Sequence, residues 1–157
     1  MSALQIAPAD PREPDITALL TTHLDFSNQH SPPEHVHALD IAGLLDPRVT
    51  FFSARDDGLL LAVGAIRELS PDHGEIKSMH TAAAARGRGI GRAMLDHLLT
   101  TARQRGYTLV SLETGTMEAY HAARSLYESV GFRVTPPFGD YWENDYSICM
   151  SLELAPA

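Results

Sequence analysis

The spacing of apolar residues changes period several times along the chain, and each change marks an element. Leu4-Gln5-Ile6-Ala7 alternates and predicts a short strand, closed by Pro8 and Pro11. From Asp15 to about His30, Ile16, Leu19, Leu20, Leu24 and Phe26 recur at close to helical spacing. Ser31-Pro32-Pro33 opens a second helix with a capping serine and proline in the first turn, and its apolar face runs through Val36, Leu39, Ile41, Leu44 and Leu45 to a stop at Asp46-Pro47. Val49 to Ala54 reads as a strand, Asp57-Gly58 as a hairpin turn, and Leu59 to Leu69 as the return strand with Gly64 as a bulge. After the turn Pro71-Asp72-His73-Gly74, Glu75 to Thr81 is a strand. Period-two geometry sets Glu75, Lys77, Met79 and Thr81 on one of its faces and Ile76, Ser78 and His80 on the other.

Arg86-Gly87-Arg88-Gly89-Ile90-Gly91 breaks the pattern as a glycine-rich loop. A helical stripe follows through Ile90, Ala93, Met94, Leu98, Leu99 and Ala102, ended by Gly106. Leu109 to Glu113 is a strand, and Glu118 to Val130 a helix with Ala119, Ala123, Leu126 and Val130 facing inward. Gly131-Phe132 leads into a short strand, Pro136 to Tyr141 is a loop, and Tyr146 to Leu154 alternates as a last strand that closes the sheet. The order β-α-α-β-β-β-α-β-α-β-β predicts an α/β (α+β) fold: a mixed sheet flanked by helices on both faces. The length of 157 residues fits one domain over 1–157.

Composition narrows the picture. Hydrophobic residues at 44% and charged residues at 20% are ordinary for a globular chain and exclude a disordered or collagen-like one. No apolar run reaches the roughly 20 residues of a membrane span, and the N-terminus lacks a basic, apolar leader. The single cysteine, Cys149, forms no internal disulfide, so a cytoplasmic location is expected. A net charge of −8 argues against nucleic acid as partner. Positive charge is uneven all the same: Arg86, Arg88, Arg92, Arg103 and Arg105 cluster in one stretch. None of the eight histidines, His35, His37, His80 and His121 among them, forms a metal-spaced set, so no metal is expected.

The loop carries the chemistry. Glycines at 87, 89 and 91 let backbone N–H groups turn toward one point, and the following helix adds its free N–H groups and dipole. That is a receptor for a phosphate or pyrophosphate. A kinase-type loop is excluded because no Gly-Lys-Ser/Thr follows, and a dinucleotide fingerprint fails because Arg92 stands where its third glycine belongs. Glu113, at the end of the next strand, mimics a ribose-binding acid. A dinucleotide-binding domain therefore stays as an alternative.

Arg86-Gly87-Arg88-Gly89-Ile90-Gly91 resembles the R/Q-x-x-G-x-G/A motif of the Gcn5-related N-acetyltransferases (GNAT), and Ala123 to Phe132 resembles that family's A-x-x-L-Y-E-x-x-G-F segment. The Ser31-Pro32-Pro33-Glu34 segment and the Pro136 to Tyr141 loop are similar to a bacterial subgroup of uncharacterised members. The resemblance implies a GNAT acyl-CoA N-acyltransferase fold and acetyl transfer from acetyl-CoA, as co-substrate, to a primary amine by direct attack. It implies that the loop, with Arg86, Gly87, Arg88, Gly89, Ile90, Gly91 and Arg92, holds the pyrophosphate. The backbone of Met79, His80 and Thr81, on a strand that splays from its neighbour, would pair with the pantetheine arm. Tyr127 would protonate the leaving thiolate, Glu75 would be the general base, and the Met79 N–H would serve the oxyanion.

Three readings stay beside these. Tyr127 is also a plain core aromatic, Glu75 with Lys77 a plain ion pair, and His80 an alternative base through a water. Tyr120 stands where the family often has an asparagine that contacts the cofactor. The acceptor pocket falls on His30 to Asp40 and Phe138 to Asp145, where Asp140, Glu143 and Asp145 with Phe138, Tyr141 and Trp142 suit a cationic small-molecule amine or amino acid. A CoA-binding sensor or partner module without catalysis is the other alternative. The strand Tyr146 to Leu154 reads as an edge through which a homodimer could pair.

Overall fold

The computed structural model describes residues 3–30 and 41–155. Strands β1 (Leu4–Pro8), β2 (Val49–Asp56), β3 (Leu59–Ser70), β4 (His73–Thr81), β5 (Leu109–Gly115), β6 (Arg133–Thr135) and β7 (Ser147–Glu153) form one sheet in the order β1-β2-β3-β4-β5-β7-β6. Every neighbouring pair is antiparallel except β4 with β5. Asp57 and Gly58 both take positive φ, 51° and 82°, as the tight β2–β3 hairpin requires.

Alternation along the central strands feeds two hydrophobic layers. Phe51, Val63 and Ala65 meet Ile16 and Leu20 of α1 (Pro14–His30) and Leu44 of α2 (Ile41–Leu44). Phe52, Ala62, Ile66, Ile76 and Leu112 meet the other layer, where α3 (Ile90–Gln104) and α4 (His121–Ser129) lie. The α3 stripe differs slightly from the spacing prediction: Leu95 is fully buried and Ala93 only partly.

Several expectations are corrected. Gly64 is not the bulged residue. A Cβ there would sit 2.8 Å from Met94 Cγ, so glycine lets α3 approach the sheet. The last strand is no edge, because β7 runs between β5 and β6; the edges are β1 and β6. The helix expected over 118–130 is a 3-10 turn (Glu118–Tyr120) followed by α4, and Ala119 is exposed on that turn. Of the predicted second helix only Ile41–Leu44 is described; Ser31 to Asp40, including His35 and His37, lie outside the described residues. No helix among the described residues is long and apolar enough to cross a membrane.

Candidate active site

The site grows from a seam in the sheet. β4 pairs with β5 over His73–Glu75 against Leu109–Ser111 only. Beyond Glu75 the strands part. β4 then spends three steps, His80 to Lys77, where β3 spends two, Val63 to Ala65, and Ser78 sits at φ 56°. This is a bulge on β4, which bends the strand away from β5. Ser78 and Met79 have no partner in the β3 register.

The bulge overturns the simple period-two reading. His80 stands opposite Val63 and Lys77 opposite Ala65, both in the α1 layer. Met79 packs into the α3 layer, and Thr81 stands opposite Ala62 there. Glu75, Lys77 and His80 therefore share one face, and Ile76, Met79 and Thr81 the other.

A cavity of about 610 Å³ fills the opening. Its walls are β4 from Glu75 to Thr81, β5 from Leu112 to Gly115, the glycine loop, α4 through Tyr127, and His23 and Phe26 of α1. At one end Gly87 and Gly89 both take φ 77°, a conformation that disfavours any side chain. A Cβ on either would meet nothing within 4 Å among the described residues, so the loop faces open space. The first α3 bond runs from Ala93 N–H to the Gly89 carbonyl at 3.1 Å, which leaves the N–H groups of residues 90–92 ahead of the helical ladder. Arg86 and Arg92 line the cavity, while Arg88 reaches toward Asp56 at 3.9 Å. The loop has the geometry of an anion receptor.

Glu75 stands near the closed end of the seam, 3% exposed. Its Oε2 accepts hydrogen bonds from the Tyr141 hydroxyl at 2.5 Å and from Lys77 Nζ at 3.1 Å; Lys77 Nζ also donates to the Tyr141 oxygen at 2.7 Å. Lys77 is itself 8% exposed, so the triangle satisfies a buried charge pair that would otherwise be costly. Burial, aided by the Glu75 carboxylate, pushes the Tyr141 phenol well above its usual range and keeps it an O–H donor. Tyr141 thus joins β4 from a loop that follows β6.

Tyr127 is 7% exposed, packs edge-on to Phe132 and also lines the cavity. Burial pushes its phenol up to about 12, so it holds its proton at neutral pH. Across the cavity, His23 Nδ1 lies 3.3 Å from His80 Nδ1, with ring centroids 5.0 Å apart. Burial lowers both imidazoles to about 4, and for His80 the neighbouring His23 and Arg86 add to it. Nε2 of His80 is enclosed with no hydrogen-bond partner among the described residues. Tyr120 ends the 3-10 turn before α4. Its ring lies against Gly115, which a Cβ would block, and meets Phe26 edge-on at 5.3 Å.

The structure thus brings Glu75, Met79, His80, Thr81, the glycine loop, Tyr127 and Tyr141 around one cavity. It does not bring the loop acids there. Asp140, Glu143 and Asp145 are exposed and off its walls, and Phe138 packs on Tyr141 and His73 instead. Of the loop residues expected in the acceptor pocket, Tyr141 lines the cavity, joined by Tyr146. His23, Phe26 and Tyr146 escaped sequence reasoning; His23 sits in an ordinary helical stripe, and no spacing ties it to His80. Among the described residues, no group of three or more His, Cys, Asp or Glu could hold a metal.

A strand that parts from its neighbour beside a glycine-rich helix start defines a class of acyl-transfer fold. The model of the acetyltransferase (GNAT) family matches residues 15–132, and the chain belongs to that family. It is 42% identical to the uncharacterized N-acetyltransferase YsnE of Bacillus subtilis over 88% of this chain and 92% of that one. It is 40% identical to the uncharacterized N-acetyltransferase YedL of Escherichia coli, over 92% and 91% of the two chains. Among solved structures, a GNAT family acetyltransferase from Elizabethkingia anophelis with acetyl-CoA bound shares the fold at a TM-score of 0.71 and 20% identity, covering 96% of this chain and 98% of that one.

Proposed function

We propose that the protein transfers the acetyl group of acetyl-CoA to a primary amine of a small molecule or amino acid by direct attack. The observation that carries this reading is one cavity with an anion receptor at one end and a protonated tyrosine and buried polar groups at the other. The amides of Arg88, Gly89, Gly91 and Arg92 take the pyrophosphate, with Arg86 and Arg92 adding charge and Gly87 allowing the turn. The backbone of Met79, His80 and Thr81, on the side of β4 where pairing with β5 has ended, pairs with the pantetheine arm.

The amine lone pair attacks the thioester carbonyl carbon. The Met79 N–H, beyond the last β4–β5 register pair, stabilises the oxyanion. Tyr127 delivers its proton to the departing sulfur. Glu75, expected as the base, has Oε2 already taken by Lys77 and Tyr141; its part is to hold the Tyr141 wall against which the acceptor sits.

A screen of amines against acetyl-CoA, reading free thiol, tests this directly. Thiol release with at least one small primary amine is the expected result. Tight acetyl-CoA binding with no release across the panel favours a binding module instead, and affinity for adenine dinucleotides but not for CoA refutes both.

A further inference from the structure

We infer that His23 is the proton acceptor for the incoming ammonium and that His80 is its positioning residue, the two acting through their Nδ1···Nδ1 hydrogen bond; this rests on the acyl-transfer reading above. The two rings come from different elements, α1 and β4, and meet in the wall of the cavity at 3.3 Å. One member must donate and the other accept. With the proton on His23 Nδ1 and the bond directed at His80 Nδ1, the Nε2 lone pair of His23 is free. His80 is fixed in place by the β4 bulge, which turns its side chain to the α1 face. In this tautomer neutral His80 carries its remaining proton on Nε2, which is enclosed and has no acceptor among the described residues, so that nitrogen does not meet the substrate.

The charged and titratable groups that share the cavity with the pair leave it this task. Glu75, Lys77 and Tyr141 are bonded to one another. Arg86 and Arg92 are cations, Tyr127 holds its proton, and Tyr120 and Tyr146 are the remaining phenols on the walls. Glu113 lies on β5, on the opposite wall. Burial lowers both imidazoles to about 4, so each is neutral at neutral pH, and His23 is a weak base that holds the proton only while the amine attacks, before solvent takes it.

The proton count closes. An ammonium N–H bond breaks and its proton joins His23 Nε2, from which it passes to solvent. The amine forms the C–N bond and the C–S bond breaks. A second N–H proton of the adduct replaces, at Tyr127, the one given to sulfur. Ammonium and thioester become amide and thiol with one proton released.

The test is the pH profile of kcat/KM for the full chain with an acceptor from the amine panel, alongside ring nitrogen NMR of the free protein. His23→Gln is expected to lower kcat about 100-fold and to remove the acid limb of the profile. Its acetyl-CoA affinity by calorimetry should stay within about twofold, which also reports a folded variant. His80→Ala is expected to lose about 10-fold and His80→Asn, which keeps a hydrogen-bonding side chain, to recover most of it. NMR should find the His23 proton on Nδ1. The inference is overturned if thiol release proceeds while His23 carries its proton on Nε2, if His23→Gln keeps the wild-type profile, or if Glu75→Gln alone abolishes the acid limb. An absence of thiol release with every amine removes instead the reading on which it rests.

Discussion

At one end of the β4–β5 seam the strands are tied together, and at the other they part. The tied end has three register pairs, and His73 Nε2 and the Ser111 hydroxyl are bonded at 2.7 Å, followed by Ser111 and Ser151 at 2.7 Å. The Tyr107 ring lies beneath Gly74, and its hydroxyl donates to Glu68 at 2.9 Å. The open end has a bulge, a serine at positive φ, and polar groups that face a cavity. Only Glu75 belongs to both. The contrast teaches that the sheet is kept whole by packing at one end so that backbone groups can be left unpaired at the other. Changes at the open end should cost binding and turnover, and changes at the tied end should cost stability.

The largest effect is expected at the glycine loop. Gly89→Leu places a side chain in the space the loop encloses, at a φ of 77°. Acetyl-CoA affinity should fall more than about 100-fold by calorimetry, while the left-handed strain costs only about 1–2 kcal/mol of stability. Unchanged affinity would break the comparison at its open end. Next is Tyr127→Phe, which removes the hydroxyl proposed to protonate the sulfur. A kcat loss on the order of 100-fold with acetyl-CoA affinity retained is expected; normal turnover takes Tyr127 out of the chemistry.

At the tied end, Gly74→Ala would set a Cβ 2.8 Å from the Tyr107 ring and 3.1 Å from Ile66. A stability loss of about 2 kcal/mol in urea denaturation is expected, with acetyl-CoA affinity unchanged. A loss of affinity there would show that the two ends are not separable. The smallest effect is electrostatic. His23 and His80 sit at about 4 when folded and near 6.5 when unfolded, so the unfolded chain binds more protons between those values. Stability contributed by the neutral pair is complete above about pH 6.5 and falls as pH drops toward 4. Allowing for partial solvent screening, urea midpoints at pH 5 should register a loss on the order of 1 kcal/mol relative to pH 7.5, and a midpoint independent of pH would contradict it.

How much was legible in the sequence follows from which interactions are local. The hairpin at Asp57-Gly58, the helix after Gly89 and the strand after Gly106 are written in turn residues and periodicity, and each forms. The glycine loop was legible because glycine alone tolerates the φ it adopts. The β4 bulge was not, because its positive φ falls on Ser78, a residue that gives no such signal, and Gly64 drew attention to the facing strand instead. That one extra residue reversed the assigned faces of Met79, His80 and Thr81. The Tyr141 hydroxyl reaches Glu75 across 66 positions and His23 reaches His80 across 57, distances at which no pattern in the chain links them. The pairing of the last strand hid for the same reason: alternation in Ser147–Glu153 states that it is a strand, not that β6 covers its outer side.

The most direct measurement of the central claim is a crystal structure of the protein grown with acetyl-CoA. The account predicts the pyrophosphate on the amides of residues 88–92, the pantetheine arm along Met79 to Thr81, and the thioester between Met79 N–H and the Tyr127 hydroxyl. A cofactor bound elsewhere, or that corner filled by protein side chains, would contradict it.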